Sequence, residues 1–173
     1  MKIKNIDAFQ IFDSRGKPTV EAVVTLEDGS VGHGLVPSGA STGQFEAHEL
    51  RDGDPNRFAG QSVGRAIEHI RVDLAQALCK MAAPDQQAVD HAMIELDGTP
   101  NKVRLGANAI LGVSMAYANA MAQSRKLALF EHLGNGKGTI LPLPEIQIFG
   151  GGAHADWRTD VQDWLVIATG ATN

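Results

Sequence analysis

Across residues 18–28 apolar and polar positions alternate. Val20, Ala22, Val24 and Leu26 fall on one side, Glu21, Thr25 and Glu27 on the other. A period of two predicts a half-buried strand. Asp28-Gly29 supplies a hairpin turn, and residues 31–36 return as the next strand. Residues 3–12 form the strand before it, ended by Asp13-Ser14-Arg15-Gly16. The first third therefore predicts a three-stranded antiparallel meander.

The period then lengthens. Val63, Ala66, Ile67, Ile70, Leu74, Ala77 and Leu78 make an amphipathic helical stripe. A second helix comes after Pro84, a residue suited to a first helical turn, with Val89, Ala92, Met93 and Leu96 inward. Asp97-Gly98-Thr99-Pro100-Asn101 interrupts the chain before an Ala-rich helix over 106–122. A short helix over 127–133 is expected to end at Gly134 as its C′ residue. Strands first and helices afterwards give an α+β domain. Residues 134–138, rich in glycine, form a linker, and apolar runs at 146–149 and 164–168 pair as a hairpin closed by the glycine loop. Two strands and a loop bury little by themselves, so 139–173 read as the opening of a second domain after a first spanning 1–138.

Composition narrows the functional classes. Hydrophobic content of 43% with 20% charged residues is ordinary for a soluble globular protein. A net charge of −5 carries no basic footprint for nucleic acid, and it suits a site that gathers divalent cations. Cys79 is the single cysteine, which excludes an internal disulfide and fits a reducing, cytoplasmic setting. The start, MKIKNIDAFQ, has no signal-peptide core. The segment 106–122 contains Asn108, Ser114 and Asn119 and falls short of the ~20 apolar residues of a membrane span. No membrane partner is expected.

Two segments carry candidate chemistry. Pro37-Ser38-Gly39-Ala40-Ser41-Thr42-Gly43 comes after a strand, and its hydroxyls and backbone groups suit an anion or oxygen ligation of Mg²⁺; a plain polar loop has the same composition. Gly150-Gly151-Gly152 precedes His154, and Gln162 and Asp163 lie further on, in an apolar stretch. Glycines let a backbone approach a bound group closely. This segment therefore reads as one wall of a small-molecule site. His154, Asp156, Asp160 and Asp163 are a further metal candidate, although their spacing matches no ligand pattern. His33, His48, His69, His91 and His132 are expected to be structural or solvent-facing, and Cys79 to pack as a small apolar residue.

The ordered motifs resemble the enolase (phosphopyruvate hydratase) family. They are Ile11-Phe12-Asp13-Ser14-Arg15-Gly16-Lys17-Pro18-Thr19-Val20-Glu21, then Val36-Pro37-Ser38-Gly39-Ala40-Ser41-Thr42-Gly43, then Glu49-Leu50-Arg51-Asp52-Gly53-Asp54. Leu96-Asp97-Gly98-Thr99, Leu105-Gly106-Ala107-Asn108-Ala109-Ile110-Leu111-Gly112 and Gly151-Gly152-Ala153-His154-Ala155 continue the match across essentially the whole chain. The resemblance implies an N-terminal capping domain over 1–138 and the first strands of an incomplete β/α barrel over 139–173. It implies reversible dehydration of 2-phosphoglycerate to phosphoenolpyruvate with Mg²⁺, in a cytoplasmic homodimer. A barrel lysine would take the C2 proton and a glutamate would protonate the leaving hydroxyl. Both, with the main metal carboxylates, are expected in barrel segments outside this chain, so the 173 residues alone are expected to be inactive.

Residue by residue, Ser41 matches a mobile-loop serine that binds the second Mg²⁺, within Ser38, Gly39, Ala40, Ser41, Thr42 and Gly43. His154 matches a catalytic histidine that closes over the substrate. Gln162 and Asp163 occupy a Gln-Glu pair that contacts substrate, and Arg15 matches an interface arginine. The chain departs from the pattern at Gly150, usually Asn, at Asp163, usually Glu, and at Phe149 and Trp164. Those departures leave open a paralogue acting on another phospho- or phosphono-acid. A non-catalytic capping module that binds a partner is the alternative from another class.

Overall fold

The computed structural model describes residues 1–39 and 43–170, with only the backbone at His154. These fall into two compact units, one made of Met1–Ser38 and Gln44–Gly138, the other containing the residues from Thr139 onward.

The first unit is α+β. Strands β1 (Ile3–Phe12), β2 (Pro18–Leu26) and β3 (Val31–Leu35) form an antiparallel meander in the order β1-β2-β3. Val20, Ala22, Val24 and Leu26 are all fully buried, as the alternation requires. Across the inner face the register aligns Ile6, Val24 and Gly32 in one row and Ala8, Ala22 and Gly34 in the next. Side-chain size thus falls to nothing at β3. That profile seats a long helix, Ala107–Ser124, which packs on β3 and β2 and is the fourth of the unit, α4. A Cβ at Gly34 would lie 2.8 Å from the Ala116 amide nitrogen and nearer still to the Gly112 carbonyl oxygen. One at Gly32 would lie 2.8 Å from the Ala120 Cα. Gly112, Ala116 and Ala120 recur every fourth residue, so the small stripe of the helix meets the glycines of the strand.

The polar residues of α4 each serve a neighbour. Asn119 Nδ2 donates to the His33 carbonyl at 2.9 Å, and Gln123 Oε1 accepts from the Val31 amide at 2.5 Å. Both bonds occupy backbone groups of edge strand β3 that would otherwise offer a template for strand addition. Buried Asn108 accepts from the Leu50 amide at 3.1 Å and donates to the Leu50 carbonyl at 3.0 Å. No helix of the described residues is long and apolar enough to cross a membrane.

The helical stripe after residue 63 is more irregular than its periodicity suggests. It comprises α1 (Gly64–His69), a π turn (Ile70–Leu74) and α2 (Ala75–Leu78). The fully buried residues Ala66, Ile70, Leu74 and Leu78 step by four. In an ideal α-helix each such step overshoots one turn by about 40°. A wider π turn reduces the overshoot and keeps the stripe on β1. The start of α1 is capped from a distance: Asp52 Oδ2 and Oδ1 accept the amides of Gly64 and Arg65, each at 2.8 Å. Cys79 packs beside the core, and burial pushes its thiol up.

Two helix ends differ from expectation. Helix α3 (Gln86–Asp97) is capped by Asp85, whose side chain accepts the Ala88 amide at 2.8 Å, so Pro84 stands before the helix rather than in its first turn. Helix α5 (Leu129–Gly134) includes Gly134, and the left-handed residues that end it are Asn135 (φ 46°) and Gly136 (φ 75°). Ordering Asn135 there costs little because asparagine tolerates that region.

Asp97 closes α3 and organises the turn into the next helix. It is 2% exposed, and its carboxylate accepts the Thr99 amide at 3.0 Å, the Leu105 amide at 2.7 Å and the Thr99 hydroxyl. Burial alone would raise this carboxyl. The Thr99 and Leu105 hydrogen bonds, with the Arg104 charge, outweigh burial and hold it below its ordinary 3.8. A folded value below the unfolded one means stability present above about pH 4 and lost as pH falls through the folded value. The urea midpoint is therefore expected to stay level from about pH 7 to about pH 5 and to drop below about pH 4. Asp97→Asn should lower the neutral midpoint and flatten the acid drop. An unchanged acid drop in that variant would contradict the assignment.

Candidate functional site

In the second unit β4 (Glu145–Gly150) and β5 (Asp163–Ile167) form an antiparallel hairpin, starting one residue earlier at each strand than the apolar runs suggest. Gly150 faces Asp163 and Phe149 faces Trp164. The glycine run answers mainly to its own chain. A Cβ at Gly151 would lie 2.9 Å from the Thr159 carbonyl oxygen and closer to the Thr159 hydroxyl and the Val161 carbonyl. The Gly151 amide donates to the Gln162 carbonyl at 2.7 Å, and the Gly152 amide to the Thr159 carbonyl at 2.8 Å. Gly152 has φ +60°, a left-handed value that favours glycine. At Gly151 and Gly152 the close backbone approach is made by residues 159–162 of the same chain. Its effect is to fix Gln162 and Asp163 against the turn Gly152–Ala155, which carries His154. The His154 side chain lies outside the described atoms.

Asp163 has a partner that sequence reading did not single out. Gln147 Nε2 donates to Asp163 Oδ1, strand to strand. Gln147 faces Leu165, so Asp163 is its diagonal neighbour on the same face, within reach of a long side chain. The register shifts between Gln147 and Phe149, the mark of a bulge, which re-aims side chains locally.

In the first unit, residues around Ser38 form a charged cluster at the stem of the 39–43 segment. Arg15 Nη2 donates to the Ser38 carbonyl at 2.7 Å, and its Nε to Asp13 at 3.2 Å. Arg51 Nη2 reaches the Ser38 hydroxyl at 3.0 Å and Glu49 at 2.6 Å, while Nη1 donates to the Pro18 and Gln61 carbonyls at 2.5 and 2.6 Å. The Ser38 hydroxyl in turn donates to Glu49 at 3.2 Å. The amide hydrogen bond from Lys17, reinforced by those from Arg15, holds the Asp13 carboxyl below its usual value. Ser38 is thus bonded through its carbonyl to one guanidinium group and through its hydroxyl to another and to Glu49. Arg15, expected at an interface, is engaged within its own chain here.

Ser41, with Ala40 and Thr42, lies outside the described residues. Among the described residues no three His, Cys, Asp or Glu side chains converge to hold a metal ion. A magnesium site normally needs carboxylate oxygens as well as a hydroxyl, so the described part of this chain does not by itself fit one. His33 pairs with Glu21 at 2.9 Å and His69 with Asp73 at 2.8 Å, both ordinary surface partners. Arg51, Glu49 and Asp52 sit inside a motif visible in the sequence, yet their bonds span loops and no periodicity reports them. Gln147 left only one signal, a polar side chain in an apolar strand.

Residues 3–133 match the family model described as "Enolase, N-terminal domain". The chain is 55% identical over 169 residues to the enolase of Tropheryma whipplei (strain Twist), covering 98% of this chain and 40% of that protein. It is 56% identical over 170 residues to enolase 1 of Desulfitobacterium hafniense (strain Y51), covering 98% of this chain and 39% of that one. The chain thus spans about two fifths of the length of these curated relatives. A meander-and-helix unit with the right motifs in order, matched across its length, places the chain in the enolase family.

Proposed function

We propose that this chain supplies the N-terminal capping domain and one wall of the active site of a phosphopyruvate hydratase, the lyase that interconverts 2-phosphoglycerate and phosphoenolpyruvate in glycolysis. The observation that carries this reading is identity of 55% to an enolase across 98% of the chain. On this reading residues 1–138 are the cap and 139–173 open the barrel.

Each candidate residue then has a task. Ser41, on the segment 39–43 that follows Ser38, would offer a hydroxyl oxygen to the second Mg²⁺. His154 closes over the substrate. Gln162 and Asp163 contact the phospho-acid and order its water, and the Gly151 amide bond to Gln162 supports their placement. Mg²⁺ supplies charge stabilisation at the substrate carboxylate when bound. The base lysine, acid glutamate and main metal carboxylates are assigned to barrel segments that this chain does not include. The enzyme is read as cytoplasmic and as a homodimer. Exposed Phe9, Phe12 and Leu35, on and beside the outer face of the meander, support a second copy there, with Arg15 near its rim.

The departure at Asp163 favours one second reading, a paralogue taking another phospho- or phosphono-acid. A carboxylate withdrawn by one methylene, about 1 Å, can cost about 10²-fold on the usual substrate. The purified 173-residue chain with Mg²⁺ is expected to form no phosphoenolpyruvate from 2-phosphoglycerate. Measurable turnover would contradict the division of labour proposed between this chain and the barrel.

A further inference from the structure

The two departures, Gly150 and Asp163, face each other in the hairpin register, and Gln147 lies beside both. Its Nε2 donates to Asp163 Oδ1. The same Nε2 would lie 3.1 Å from a Cβ at Gly150, and its Cδ 3.8 Å. Any side chain at 150 would therefore press on the amide that holds the carboxylate.

We infer that Gln147 is a positioning residue for Asp163, and that the missing side chain at Gly150 is what lets its amide reach. The inference rests on the reading of Asp163 as a substrate-contacting carboxylate. An aspartate carboxylate can swing about two side-chain torsions, and each staggered well points it elsewhere. One charge-assisted bond from a neutral amide selects a well without neutralising the charge. The strands fix the distance between the two Cα positions, so the combined length of the two side chains must span it. Lengthening Asp163 by a methylene crowds the pair unless Gln147 is shortened by the same amount. Gln147, Gly150 and Asp163 thus behave as one matched unit, and the short carboxylate is a compensated feature rather than an isolated loss.

The test uses this chain joined to the remainder of the Tropheryma whipplei enolase, assayed on 2-phosphoglycerate with Mg²⁺. Gln147→Leu, which keeps bulk and removes the donor, is expected to lower kcat by about 10- to 100-fold, the scale of a small misplacement, with KM little changed. Asp163→Glu and Gln147→Asn are each expected to lose about tenfold, whereas the double variant returns to within about threefold of the parent, a coupling that independent sites do not show. Full activity in Gln147→Leu, or losses that multiply in the double variant, would overturn the inference. Side-chain amide NMR of the same fusion separates it from the function it rests on. The Gln147 amide resonance should move on Asp163→Ala, and a resonance that does not move overturns the pairing even if the parent is active. An inactive parent whose Gln147 resonance does move would instead count against the substrate reading.

Discussion

A Gly34→Val chain is expected to show no cooperative unfolding transition for the first unit. The three atoms nearest the new Cβ are all main chain of α4: the Gly112 carbonyl oxygen, its carbon at 3.1 Å, and the Ala116 amide nitrogen at 2.8 Å. Main chain cannot rotate aside as a flexible side chain can. Helix α4 must lift from β3, or β3 must leave the meander. Either uncovers residues such as Val113, Ala116, Tyr117 and Ala120, all now fully buried. Overpacking that flexible neighbours absorb costs about 1–3 kcal/mol, and here nothing absorbs it. A loss above about 4 kcal/mol is comparable with the whole stability of many domains. Gly29→Ala is the control. It meets nothing within 4 Å but has φ +87°, so backbone strain of about 1–2 kcal/mol is all it should cost. Urea melts by circular dichroism compare the two, and a Gly34→Val midpoint near that of Gly29→Ala would contradict the packing of β3 on α4.

The second large effect is expected at Asn108. Its side chain completes both hydrogen bonds of the Leu50 backbone, tying the irregular segment after residue 44 to the first turn of α4. Leu50 and Asn108 are both buried, so water does not replace what is lost. Asn108→Leu leaves one donor and one acceptor unpaired, at about 1–3 kcal/mol each. Asn108→Asp keeps the acceptor, loses the donor and sets a charge beside the Leu50 carbonyl, so it is also destabilising. The Leu50 amide should change from slow to fast hydrogen exchange in both variants. Slow exchange in Asn108→Leu would show that the segment is held by other contacts.

These two sites show where sequence reading stops. The strands, the Ala-rich helix and the helical stripe were legible because burial on one face imposes a period on the residues themselves. The role of Gly32 and Gly34 was not legible, since nothing local says that a helix backbone lies against them. Asn108, Ser114 and Asn119 were legible as polar interruptions that argue against a membrane span. Their partners, Leu50, Gln86 and His33, lie up to 86 positions away. The π turn escaped because four-residue spacing fits both kinds of turn until the packing surface is known.

The candidate site divides in the same way. The order of motifs made the family legible, and the glycine run before His154 drew attention to residues 150–163 as a candidate wall. At Gly151 the absent side chain makes room for Thr159 and Val161 of the same chain. Arg15, expected at an interface, stays exposed while its guanidinium also bonds the Ser38 carbonyl of its own chain. Gln147 showed in the sequence only as a polar side chain in an apolar strand, since its significance lies in one cross-strand bond to Asp163.

If this chain carries the cap and one wall of an enolase-family active site, with its departures compensated, then completing the barrel should restore the reaction. The most direct measurement is turnover by the chain fused to the remainder of the Tropheryma whipplei enolase, on 2-phosphoglycerate and on its phosphonate analogue. Mg²⁺-dependent formation of phosphoenolpyruvate is expected, with 2-phosphoglycerate preferred. A folded fusion that is inert on 2-phosphoglycerate, or that prefers the phosphonate, would contradict that assignment.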